Sequence, residues 1–129
     1  MLKLAALGCA ILTLFMGALH IMLSMGLPIG EYVLGGKNKI IPKEKRYINV
    51  IAAFVFLFLG VFYIGKAVPV PIQFPAIMSK IIMILYSLFL AYAIIGNTFF
   101  TKSKKEKIVM IPASVIGFMC SFFTLLLSW

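Results

Sequence analysis

His20 and Glu31 are the side chains with the chemistry to move a proton or hold a cation in this chain. His20 is its only histidine and lies inside a long apolar run, five residues before that run ends at Met25. Glu31 follows in a glycine- and proline-broken stretch, Gly26 to Arg46, which carries two of the three acidic residues. A carboxylate close to a bilayer is costly unless paired, and such groups often serve transport or binding. A His–carboxylate pair can relay protons or orient a metal ligand. The competing reading makes Glu31 a clamp on its loop, paired with a loop lysine or Arg46. For His20 it is a hydrogen-bonded packing residue. No metal site is expected, because neither a second His nor a Cys-x-x-Cys accompanies His20.

The same stretch places Gly30, Gly35 and Gly36 beside Lys37, Lys39 and Arg46. Glycine-rich backbone can present N–H groups to a phosphate, with neighbouring cations adding charge. A lipid phosphate at the membrane surface is the ligand this suggests. The alternative is ordinary attraction between solvated lysines and anionic headgroups. It is not a P-loop, since the Gly-Lys-Ser/Thr ending is missing. Nucleophilic catalysis has no footing: the serines of the apolar segments lack a base, and the chain has no Asp to orient His20. The expected binding residues are therefore His20, Gly30, Glu31, Gly35, Gly36, Lys37, Lys39 and Arg46, with no catalytic residue, metal or cofactor.

The elements that position these groups follow from hydropathy. The chain is 64% hydrophobic with a mean hydropathy of +1.15, against roughly 45–50% apolar residues in soluble domains. Water cannot solvate that many Ile, Leu, Phe and Met side chains, so hydrocarbon must. Apolar segments at about 4–25, 48–65, 76–96 and 108–128 are each long enough to span a bilayer. The expected fold is all-α, a transmembrane four-helix bundle forming one membrane domain over 1–129. The first segment reads as a span rather than a cleaved signal peptide, because its hydrophobicity continues past Met16-Gly17-Ala18.

Each span has a less lipophilic face. Cys9, Thr13, Gly17, His20 and Ser24 line one side of the first, and Asn49, Ala53, Phe56 and Gly60 one side of the second. Ser87 and Ala91 share a face of the third, and Ala113, Gly117 and Ser121 form a small-residue ladder on the fourth. Such faces mark helix–helix contact in membranes. Pro112 is expected in the first turn of the fourth span, where a missing N–H does little harm. Glu44 and Glu106 lie among lysines, unlike Glu31 with its apolar, glycine-flanked setting. Cys9 and Cys120 fall at similar depth, and whether they interact is left open.

Of the twelve Lys and Arg residues, all but Lys3, Lys66 and Lys80 fall in the loops 26–47 and 97–107. The positive-inside rule puts those loops in the cytoplasm and both termini outside. The net charge of +9 is accordingly assigned to anionic lipid headgroups. Nucleic acid is excluded as a partner, because no basic helix or aromatic–basic platform stands outside the apolar segments.

The run Gly26-Leu27-Pro28-Ile29-Gly30-Glu31-Tyr32-Val33-Leu34-Gly35-Gly36, with His20 before it and Pro42 and Arg46 after it, resembles a pattern in small bacterial four-span integral membrane proteins of unknown function. The resemblance covers about Gly17 to Gly65. It implies a bacterial inner membrane and this architecture, and no activity. Two functions follow as expectations. The first is a non-catalytic accessory, immunity-type or lipid-contacting protein, acting on lipid, a membrane-protein partner or its own copies through a cavity-free bundle. The alternative is a small transporter or ion-conducting protein, with a polar cavity between the first two spans reaching Glu31 and His20.

Overall fold

The computed structural model describes residues 1–32, 39–71 and 73–128, and among them every regular element is helical. Helix α1 is Leu2–Ser24, α2 Arg46–Ala67, α3 Ala76–Ile95 and α4 Lys104–Ser128. Each is long and apolar enough to cross a membrane, with mean hydropathy between 2.0 and 2.4. Outward faces carry Leu4, Ile11, Phe54, Val61, Ile77 and Leu88, all more than half exposed. In water each such side chain would forgo about 1.5–3 kcal/mol of burial. Hydrocarbon removes that cost, and the chain is a multi-pass membrane protein built as a four-helix bundle.

The first three helices begin and end within two residues of the positions that hydropathy suggests. Helix α4 begins four residues earlier, at Lys104 rather than 108. The cause is local: the Ser103 hydroxyl accepts the backbone N–H of Glu106 at 3.2 Å, satisfying a donor that a helix start leaves open. Ser103-Lys104-Lys105-Glu106 has the spacing of a capping box. The early start corrects the expectation for Pro112. It lies in the helix interior, not the first turn, where it cannot donate to the Ile108 carbonyl. The proline itself is exposed, so its ring faces the bilayer.

The spacing of the less lipophilic residues decides which faces meet. Cys9, Thr13, Gly17 and His20 of α1 are buried, as are Asn49, Ala53, Phe56 and Gly60 of α2. Ser24 is only half-buried and donates to the Ile21 carbonyl at 2.7 Å. The α1–α2 seam is reciprocal. A Cβ at Gly60 would stand 2.5 Å from Leu14, and one at Gly17 would stand 3.0 Å from Leu57. Each glycine thus receives the other helix's leucine.

Helix α1 also runs along α4, and α3 packs on α4. Gly117 of α4 sits against Leu90 and Leu12, so the small-residue ladder works within this bundle. The backbones of α2 and α3 stay apart. Rings bridge them instead: Phe56 lies 6.4 Å from Phe89 and Tyr63 lies 5.8 Å from Tyr86, between ring centroids. This gap between α2 and α3 is what leaves room for the cavity described next.

Candidate functional site

His20 is held by two neighbours from α2. Its ring stacks on Phe56 with centroids 5.5 Å apart and planes at 7°. Its Nδ1 lies 2.9 Å from Asn49 Oδ1. With the amide oxygen turned to the ring, Nδ1–H donates. Asn49 is fully buried, and among the described residues its Nδ2 finds no partner. An unmade hydrogen bond on a buried donor costs about 1–3 kcal/mol, so this amide calls for an explanation.

Both residues line a cavity of about 540 Å³. All four helices contribute to it. Leu12, Met16, Phe56, Phe89, Leu90 and Met110 give it mainly carbon walls. Its polar groups gather toward the end of the bundle where the basic loops lie: His20, Asn49, Asn97, Thr101, Glu106 and Ser114. Ile48 of α2, Tyr92 near the end of α3 and Phe100 in the turn Gly96–Phe100 that follows it are lining residues that remain exposed. The cavity is therefore open toward the gap between α2 and α3.

Glu106 is the unexpected member. It is only 6% exposed, because the Ser103 cap starts α4 early and turns this residue inward. The Thr101 hydroxyl donates to its Oε2 at 2.5 Å. Among the described residues no Lys or Arg is paired with it, although Lys104, Lys105 and Lys107 share its turn. The charge run around Glu106 belongs to the outer face of the same turn, where Lys104 and Lys105 are exposed.

Glu31 occupies a 3₁₀ turn, Gly30–Tyr32, on the surface of the same end. Its carboxylate pairs with Lys105, and its side chain is 33% exposed. The Ser103 hydroxyl, besides capping α4, donates to the Glu31 carbonyl at 2.6 Å. The hydrogen bond and charge of Lys105, with a further contribution from Lys39, hold the Glu31 carboxyl below the usual carboxylate range. Glu31 does not line the cavity, and no bond joins it to His20. The arrangement is a clamp between the two basic loops.

Of the glycine-rich residues, Gly30 is buried and its N–H already donates to the Lys39 carbonyl at 2.8 Å. Lys39 itself is exposed. Arg46 donates through Nε to the Ile41 carbonyl at 2.9 Å, and its guanidinium covers Gly26. Gly26 has φ +87°, a conformation that glycine adopts freely, and a Cβ there would stand 2.8 Å from that guanidinium. Gly35, Gly36 and Lys37 lie outside the described residues. Among the described residues no three His, Cys, Asp or Glu side chains come together as a metal site would require. Cys9 and Cys120 are free thiols; Cys9 contacts the Gly117 carbonyl and Cys120 lies against Gly8.

Of the two residues that the sequence singles out, His20 is buried and lines the cavity, and Glu31 is paired with Lys105 outside it. Residue types alone miss Glu106, Thr101 and Asn97. The Ser103-x-x-Glu106 spacing was the available signal for Glu106. The bundle is not cavity-free, as an accessory role was expected to require, and its cavity does not reach Glu31, as a transport role was expected to require. Comparison of the chain with family models, with curated proteins and with solved structures finds no match.

Proposed function

We propose that this chain is a non-catalytic, lipid-contacting protein of a bacterial cytoplasmic membrane that holds an amphiphilic molecule between its helices. The observation that carries the reading is the fully buried Asn49 amide, left without a partner at the polar end of a carbon-walled cavity. A volume of about 540 Å³ falls within the usual range of small-molecule sites, roughly 300–1,000 Å³. An apolar tail suits the walls, and a polar head suits the loop end. The lateral gap between α2 and α3 supplies a route from the bilayer.

The two basic loops face the cytoplasm in this reading, with both termini outside, because nine of twelve cationic residues lie in them. Their lysines rest on anionic headgroups. An accessory or immunity-type role, through a membrane-protein partner or a second copy, fits the same surface. The transport alternative has less support, since Glu31 is engaged by Lys105 outside the cavity.

Native mass spectrometry of the chain in mild detergent tests the proposal. A copurified amphiphile is expected, and it should be lost when Ala52→Phe or Ala113→Phe fills the cavity. The same absence of any bound molecule in wild type and filled variants would refute it. Labelling of single cysteines at Lys39 and Lys102 from the two sides of intact cells tests the orientation.

A further inference from the structure

The polar end of the cavity has a charge of its own. Among the described residues, Glu106 is the one Asp, Glu, Lys or Arg side chain that lines it. The lysines of the same turn lie outside: Lys104 and Lys105 are exposed, and Lys105 is engaged by Glu31. The outside of this end is strongly cationic, whereas the group facing inward is a carboxyl. A buried carboxylate without a cation is among the costlier arrangements a protein can hold. The single hydroxyl of Thr101 leaves most of its acceptor capacity unused. Asn49, on another helix, lines the same cavity, and among the described residues its amide nitrogen has no partner.

We infer that the cavity takes an amphiphile whose head carries a primary ammonium beside an oxygen acceptor, the ammonium on Glu106 and the oxygen on Asn49. This rests on the amphiphile-holding role proposed above and specifies its ligand class. A primary ammonium supplies several donors to a carboxylate and a charge that the cavity lacks. The acceptor oxygen completes the amide. A neutral alcohol would satisfy Asn49 and leave the carboxylate uncompensated. A fatty acid would set like charges together. The required head chemistry occurs both in ethanolamine phospholipids and in free long-chain amino alcohols.

Photoactivatable long-chain amine, alcohol and carboxylate probes, applied to the full chain in phosphatidylcholine nanodiscs, separate these cases. The amine is expected to label cavity residues such as Phe89, Leu90 and Met110 in preference to the other two. Glu106→Gln should lower amine labelling by about tenfold or more, the scale of a hydrogen bond to a charged group, while alcohol labelling is unchanged. Equal labelling by all three probes, unaffected by Glu106→Gln, would overturn the head-group inference and leave the cavity's binding role standing. Labelling of the cavity by none of them would overturn both. Should Glu106→Gln fail to fold, competition on the wild-type chain decides. Displacement of the amine probe by ethanolamine phospholipid or by a free long-chain amino alcohol supports the inference and identifies the source. Displacement by a long-chain alcohol as effective as either overturns it.

Discussion

Two polar clusters occupy the core of this bundle, and they are finished differently. In the half away from the basic loops, Tyr63 Oη and Ser87 Oγ each lie 2.8 Å from Ser121 Oγ. Three helices thereby share one buried network, and Thr13 and Thr124 return their hydroxyls to their own helices at 2.8 and 2.7 Å. At the loop end, among the described residues, Asn49 keeps an unpaired donor and Glu106 accepts from Thr101 beside a cavity. Hydrogen bonds that close on themselves hold helices together, whereas groups left open beside a space await something else. The closed cluster packs helices together, and the open one is where the proposed binding role would be exercised.

The largest effect is expected where the two halves share a seam. Gly60→Val should push Leu14 off α2, costing about 1–3 kcal/mol as overpacking does and loosening both clusters together. The fraction of folded protein recovered in detergent, or resistance to unfolding in bicelles, would register it. A Gly60→Val protein as stable as wild type would break the picture of an interlocked α1–α2 contact.

Polar deletions in the two clusters should then diverge. Tyr63→Phe removes a made hydrogen bond and should destabilise by about 0.6–1 kcal/mol, the scale of interhelical hydrogen bonds in membranes. Asn49→Leu combined with His20→Phe removes both partners of a half-made contact and should leave thermal stability within about 0.5 kcal/mol of wild type, while binding of the amphiphile falls. Equal loss of stability from both variants would erase the distinction between a closed and an open cluster.

The smallest effect belongs to the surface clamp. Because the folded-state carboxyl of Glu31 sits below its unfolded value, the tie to Lys105 is complete above the ordinary glutamate range, near pH 4.3. It is lost only as pH falls through the lower, folded-state value. Hydrogen exchange at the start of α4 should therefore rise only in acid. Raised salt should weaken the tie as well, since exposed pairs are screened. Glu31→Gln should open the same segment at neutral pH without changing the melting of the bundle. A global loss of stability would show that the clamp does more than join two loops.

Much of this was legible in the residues. The three helix pairs that touch closely do so through faces that their spacing marks: Gly17 and Gly60 at one seam, Cys9 and Gly117 at the next, Ser87 and Ser121 at the third. Glu31 was visible as an unusual carboxylate because its neighbours are glycine and apolar residues. Glu106 was hidden by its lysines. Composition averages over a helical turn, but a turn has an inside and an outside. Only the phase of α4, set by Ser103, separates them.

Four spans, their lipid-facing surfaces and the concentration of positive charge in two loops were settled by the chain's own order of residues, because hydropathy and helical period are local properties. The cavity, the inward turn of Glu106 and the separate partners of His20 and Glu31 were decided only by the folded arrangement. They depend on α2 and α3 meeting through rings rather than along their backbones, and no single segment carries the distance between two helices.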